Sequence, residues 1–224
     1  MSVALEAPAA VPAAAIETAG LWHRYAPGRG LEPVSLSAAA PGALAVTGPN
    51  GSGKSTLLRI LAGLLRPSGG SATIRVGGRL VPATARRHSV GYAGADLMFY
   101  EELSADENLV FAGEALGLEG ARPRARESLA RVGLEARARD PVSTLSSGMR
   151  QRLRLAFALL HRAPVLLLDE PGSHLDEEGS ALVRRIVEEQ RRDRLVVIAT
   201  NDERESRLAE QRIELRGRSL GNPA

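Results

Sequence analysis

Nine residues, GPNGSGKST (Gly48–Thr56), carry the most specific chemistry in this sequence. They fit G-x-x-x-x-G-K-[ST], with a strand-like segment before and a helical pattern after, the context that makes the motif specific. Gly48, Gly51 and Gly53, with Pro49, Asn50 and Ser52 between them, let backbone N–H groups wrap a phosphate, and the start of the next helix adds a favourable field. Lys54 then reaches β- and γ-phosphates, Ser55 offers its hydroxyl to Mg²⁺, and Thr56 closes the motif. Lys54 is the single lysine among 29 Lys+Arg residues. A compact ammonium fits among phosphate oxygens where a planar guanidinium does not.

A second candidate is VLLLDE (165–170), an apolar run ending in two carboxylates. At the C-terminal tip of a buried strand, Asp169 would hold Mg²⁺ through water and Glu170 would polarise an attacking water as general base. Such a run is common by itself. About 115 residues after Lys54 it becomes strong support for a phosphate-transfer site.

These groups need elements to hold them. Residues 15–26, 34–38 and 43–47 read as strands, the last feeding the glycine-rich loop. Apolar residues at 57, 58, 61, 64 and 65 predict a helix from Lys54 to about 65, ended by Pro67–Gly70. Residues 71–78 and 88–93 read as further strands. Ser104 with Glu107 forms a capping box, and two helical patterns follow, so 97–145 reads as a small helical lobe inserted between strands. Helices over 148–161 and 177–192 then alternate with strands at 165–170 and 195–201, and 203–210 and 212–218 close the chain. That alternation predicts an α/β fold with a mainly parallel sheet. Residues 1–14, rich in Ala and Pro, read as a flexible leader.

LSSGMRQR (145–152) decides the family. Together with the phosphate loop, the Asp-Glu pair and SHLD (173–176), it resembles an ABC ATPase, the nucleotide-binding subunit of ABC transporters, from about residue 15 to the end. The resemblance implies a P-loop NTPase core with N-terminal antiparallel strands and the inserted helical subdomain, binding ATP and Mg²⁺. It implies that Ser146, Ser147 and Gly148 bind the γ-phosphate held by the opposite subunit. Asp176 would lie in the D-loop, and Tyr25 would stack on adenine, with Trp22 as a possible substitute. Met149 stands where the family usually has glutamine.

Two further departures bear on catalysis. Where the family carries a glutamine that contacts Mg²⁺ and couples to the membrane subunit, this chain has Ala95 and Asp96, and no glutamine precedes Gln151. Asp96 is an oxygen ligand and is expected as a substitute at Mg²⁺. Where the family has a histidine facing the γ-phosphate, this chain has Asn201, which can donate a hydrogen bond but carries neither proton nor charge. Hydrolysis is therefore expected to run through Glu170, Lys54 and Asn201, but slowly.

Composition narrows the alternatives. There is no cysteine, which excludes disulfides and thiol chemistry. The isoelectric point near 9.9 comes with a net charge of only +3 and scattered arginines, so no nucleic-acid partner is expected. No apolar run approaches the ~18–20 residues needed to cross a bilayer. The expectation is a soluble, cytoplasmic subunit, peripheral on the inner face of the membrane. It would form a homodimer or heterodimer of nucleotide-binding domains and drive a separate membrane-spanning permease through its helical lobe. The stretch 92–109 looks most like haem-export and cytochrome c maturation ATPases, and next like multidrug or lipid exporters. The rivals are a catalytically weak regulatory subunit paired with an active homologue, and a soluble ABC ATPase outside transport.

Overall fold

The computed structural model describes residues 11–216 except residue 28. Most of the expected leader, residues 1–10, lies outside the described residues. Its last residue, Ala14, is buried and opens strand β1 (Ala14–Ala26).

Two sheets are stacked through one layer of helix. β1, β2 (Arg29–Ala39), β4 (Gly69–Val76) and β5 (Arg79–Leu80) form an antiparallel sheet in the order β2-β1-β4-β5. Strands β3 (Gly42–Thr47), β6 (Val90–Ala93), β7 (Val165–Asp169), β8 (Leu195–Ala199) and β9 (Gln211–Glu214) form a parallel sheet in the order β6-β7-β8-β3-β9. Every residue of β7 and β8 is buried, the continuous apolar run of strands covered on both faces. Alternate residues divide between two cores. Val165 and Leu167 pack with Leu57, Leu58 and Ile74 toward the antiparallel sheet, and Leu166 and Leu168 pack with Leu155, Leu159 and Ile186 on the other side.

Register places the site. Asp169 lies opposite Ala199, and Ala199 opposite Val46, so the loops after β3, β7 and β8 emerge together at the carboxyl edge of the sheet. Ligand crevices of open α/β sheets form at that edge.

Helix α1 (Lys54–Leu61) is shorter than the apolar spacing predicts. Gly63, at φ +78°, donates to the Ile60 carbonyl while Leu64 donates to that of Arg59, a Schellman ending that stops the helix before Leu64 and Leu65. A Cβ on Gly63 would come 2.5 Å from the Ala83 carbonyl oxygen, so close packing demands glycine there.

The inserted lobe contains α2 (Ala105–Ala115) and α3 (Ala121–Arg131), and both arms of the predicted Ser104–Glu107 capping box are present. The Val142 N–H donates to the Leu103 carbonyl at 3.0 Å, closing the insertion near its expected end. Helix α4 (Ser147–Leu159) links lobe and sheet, and α5 (Glu177–Gln190) and the short α6 (Glu203–Ser206) complete the fold. His88, expected in a strand, ends a 3-10 turn instead, and Glu170 leaves its strand at φ +47°.

Candidate functional site

The phosphate loop is shaped by backbone constraints that only glycine meets. Gly48, Gly51 and Gly53 have φ of +137°, +81° and +98°. A Cβ on Gly48 would lie 2.4 Å from the Leu215 carbonyl oxygen, and one on Gly53 2.9 Å from Leu31 Cα. The Ser52 N–H donates to the Pro49 carbonyl at 3.1 Å and tightens the turn. Helix α1 then begins at Gly53 with no side-chain cap and no acidic residue in its first turn. Helices α2, α4 and α5 are each capped by a side-chain oxygen, whereas α3, like α1, starts at an uncapped glycine. The first N–H groups of α1 are thus left for an anion, where the helix dipole favours one.

Lys54, only 6% exposed, is surrounded by oxygen. Its Nζ donates to the Gly48 carbonyl at 2.8 Å and to Asn201 Oδ1 at 2.8 Å, and lies 3.5 Å from Glu170 Oε1. Asn201 Nδ2 donates in turn to Asn50 Oδ1 at 2.6 Å. The expected catalytic group of Glu170, Lys54 and Asn201 is therefore brought together from three separate loops. Lys54 and Glu170 border a cavity of about 450 Å³, lined also by Tyr25, Arg29, Asn50, Gly51, Ser55 and Thr56. Its size falls in the range of small-molecule sites. Gly48 and Pro49, with Asn201, border a neighbouring cavity of about 200 Å³ instead, and the Ser52 hydroxyl is buried without a partner.

Burial raises the Asp169 carboxyl above the ordinary carboxylate range, opposed by a hydrogen bond with Ser55. Its Oδ1 is buried with no hydrogen-bond partner. A hard cation fits this pair: it would satisfy the orphaned oxygen and remove the cost of burying the charge. Asp96, expected as a further Mg²⁺ ligand, has both oxygens engaged elsewhere. Tyr92 Oη donates to Oδ1 at 2.6 Å and Arg59 Nε lies 2.9 Å from Oδ2. Both of its oxygens are therefore engaged by protein groups, on a carboxylate whose charge also raises the Asp169 pKa. Among the described residues no cluster of three His, Asp or Glu side chains could hold a metal.

Tyr25 is the aromatic residue at the cavity wall. Trp22 packs on the sheet instead, with its indole so close to Gly69 that a Cβ there would lie 2.3 Å from Nε1.

The remaining expected groups lie off this chain's own cavity. Ser146 caps α4, its Oγ accepting from the Met149 N–H at 3.2 Å, with Ser147 and Gly148 in the first turn. Asp176 caps α5, accepting from the Gly179 N–H at 2.8 Å. A Cβ on Gly148 would lie 3.2 Å from the His174 carbonyl oxygen, so these two helix starts pack on each other.

Sequence reasoning missed two supporting residues. Buried Gln151 donates from Nε2 to the carbonyls of Glu170 (3.2 Å) and Pro171 (3.1 Å), bracing the strained Glu170 from α4. Its position on the inward face of an amphipathic helix was the available signal. Glu205, raised by burial, hydrogen-bonds Thr200 and the Gly172 backbone, so it ties the loop after β7 to the loop after β8. No local pattern marks it.

A sequence model of the family described as "ABC transporter" matches residues 31–173. The chain is 41% identical over 172 residues to the cytochrome c biogenesis ATP-binding export protein CcmA of Cupriavidus pinatubonensis, covering 75% of each chain. It is 39% identical to the daunorubicin resistance ATP-binding protein DrrA3 of Streptomyces coeruleorubidus, over 75% of this chain and 54% of that protein. Its fold is similar to that of the ATP-binding cassette MJ0796, solved as a dimer in a post-hydrolysis state bound to ADP and Pi. The TM-score is 0.80 and the identity 26%, over 89% of this chain and 94% of that one.

Proposed function

This chain belongs to the ABC transporter family, as an ATP-binding and ATP-hydrolysing subunit, and we propose that its site completes itself only between two copies or homologues. The observation that carries this is a division of the expected groups. Lys54, Ser55, Glu170 and Tyr25 border the cavity, whereas Ser146–Gly148 and Asp176 border none of it. A second subunit packed head to tail would present its Ser146, Ser147 and Gly148, at the N-terminus of its α4, to the γ-phosphate. A groove of about 720 Å³ beside Glu170, Ser173 and Asn201 leaves room on that face.

In such a site Gly48–Thr56 hold the phosphates, Lys54 neutralises the β- and γ-oxygens, and Tyr25 backs the base. Glu170 accepts hydrogen from the attacking water and aligns it, and Asn201 orients the terminal phosphate by hydrogen bonding. Mg²⁺, held by Ser55 and Asp169, would supply charge neutralisation on the phosphate oxygens. ATP closes the dimer, and its hydrolysis reopens it.

The mechanical load is a separate membrane permease, with export the direction favoured by the name of the CcmA relative. Among the described residues no helix is long and apolar enough to cross a membrane, so spanning would fall to that partner. Tyr100 and Phe111, exposed by 55% and 51%, form an apolar patch between the β6 loop and the lobe, with Met98 exposed by 78% on the same loop. Tyr100 and Phe111 meet edge to face there, 5.4 Å apart. We assign this patch to the permease contact, with the subunit peripheral on the inner face of the membrane and the domain spanning 15–224.

Dimerisation tests the proposal directly. Light scattering of the Glu170→Gln variant with Mg·ATP is expected to show a dimer, and adding Ser146→Arg is expected to return a monomer that still binds ATP. A Glu170→Gln protein saturated with ATP yet monomeric would contradict it. The regulatory reading draws on Asn201 in place of histidine; retention of Glu170 beside Lys54 favours a working site instead.

A further inference from the structure

Asp96 lies outside the phosphate site, yet its partners lead to the cavity wall. Arg59 sits on α1, the helix that starts at the phosphate loop, and its Nε is 2.9 Å from Asp96 Oδ2. Tyr92, at the end of β6, donates to the other oxygen at 2.6 Å. The loop is built around this contact: a Cβ on Gly94 would lie 2.0 Å from Tyr92 Oη and 2.8 Å from Asp96 Oδ1. On its far side the Arg59 guanidinium lies close enough to the Tyr25 hydroxyl for that hydroxyl to raise its pKa. Thr56 Oγ1 is 3.5 Å from the same hydroxyl.

Tyr25 needs such an anchor. Half of it is exposed, and its ring has one aromatic neighbour, His23, edge-on at 4.5 Å. A ring in that setting swings freely unless its hydroxyl is held, and ordering it on binding costs affinity. Burial works to lower the Arg59 pKa, but the Tyr25 hydroxyl and the Asp96 charge outweigh it and the pKa is raised.

We propose that Asp96 is a positioning residue for the base-binding wall: through Arg59 it fixes the Tyr25 ring to receive the purine of the nucleotide, rather than touching the metal. This rests on the reading that the cavity holds ATP with its base against Tyr25. It gives the substituted loop a definite role, in which occupancy of the base site and the conformation of residues 94–100 are linked through one ion pair.

The test separates base from phosphate. Mg·ATP binding is measured by calorimetry on the full chain, and binding of Mg·tripolyphosphate, which has phosphates but no base, by its competition against ATP. Asp96→Asn and Tyr25→Phe are each expected to weaken Mg·ATP by about 3- to 10-fold, the double variant no more than either single one, with tripolyphosphate unchanged throughout. Arg59→Lys, which keeps charge but loses the planar fork, is expected to show the same loss and serves if Asp96→Asn folds poorly. Equal weakening of tripolyphosphate, with a raised Mg²⁺ requirement, would make Asp96 a metal group and overturn the proposal. Additive losses in the double variant, or unchanged ATP affinity in the singles, would also overturn it while leaving the nucleotide reading intact. A wild-type protein that binds neither ligand would overturn both.

Discussion

Lys54 Nζ donates to Asn201 Oδ1 at 2.8 Å, joining the loop after β8 to the phosphate loop across the parallel sheet. The amide's other end donates to Asn50, so Asn201 spans two residues of the nucleotide cradle. A terminal phosphate reaching Lys54 must take the place of Asn201 Oδ1 as its acceptor. Asn201 then has one amide N–H, the one not given to Asn50, to offer the phosphate, a neutral donor where a histidine could carry charge.

Asn201→His is accordingly expected to raise the steady-state hydrolysis rate, by on the order of tenfold, because an imidazolium stabilises developing charge that an amide cannot. Comparison of kcat for the two proteins checks this. A rate no higher in the variant would show that the asparagine is not what limits turnover.

Lys54→Arg is expected to lose ATP affinity about as severely as Lys54→Ala, by roughly 100-fold or more, the scale of a lost charge-assisted contact. The ammonium is 6% exposed and packed against the Gly48 carbonyl, where a fork-shaped cation does not fit. Calorimetric titration with Mg·ATP distinguishes this from a simple charge effect, under which arginine would bind nearly as well as lysine.

Gln151→Leu strips the hydrogen-bond donor from the carbonyls of Glu170 and Pro171. Leaving buried acceptors unpaired costs about 1–3 kcal/mol, so the melting temperature is expected to fall. Glu170 also loses the brace that holds its left-handed backbone, so kcat is expected to drop more than ATP affinity. Equal changes in both quantities would point to general loosening instead.

Much of this site was legible in the sequence because its geometry is local. Gly48–Thr56 require particular backbone angles at fixed spacing, and VLLLDE announces a buried strand with its carboxylates at the tip. The Ser104–Glu107 cap was readable for the same reason. What spacing could not show was which distant partner each group would meet. Asp96 read as a metal ligand by residue type, whereas its oxygens go to Tyr92 and to Arg59, 37 positions away in α1. Helix α1 was overestimated because Leu64 and Leu65 continue the apolar period past a glycine whose neighbour, Ala83, comes from another segment. Glu205 escaped because its significance lies in contacts with Thr200 and Gly172.

His161 predicts a pH dependence. Burial, with the like charges of His88, Arg194 and Arg124 and against an opposing interaction with the Val90 backbone, pushes its pKa down from 6.5 to about 4. The native state holds it neutral while the unfolded chain protonates near 6.5. Its contribution to stability is thus full above that value and lost as pH falls toward 4, by on the order of 3 kcal/mol. Burial-raised Asp169 and Glu205 work in the opposite sense at the acid end, so the comparison is with His161→Leu. Denaturant titrations from pH 7 to 4.5 are expected to show a steeper decline in wild type than in the variant; parallel curves would refute the assignment.

Steady-state Mg·ATP hydrolysis by the purified protein, with Glu170→Gln as the background, tests most directly whether this is a working motor subunit. Glu170 Oε1 lies 3.5 Å from Lys54 Nζ at the cavity edge, placed to align an attacking water. Turnover in the native protein that falls about 100-fold or more in Glu170→Gln, with ATP binding retained, is the predicted result. ATP binding with no turnover above the Glu170→Gln background would contradict it and leave a regulatory subunit dependent on a catalytic partner.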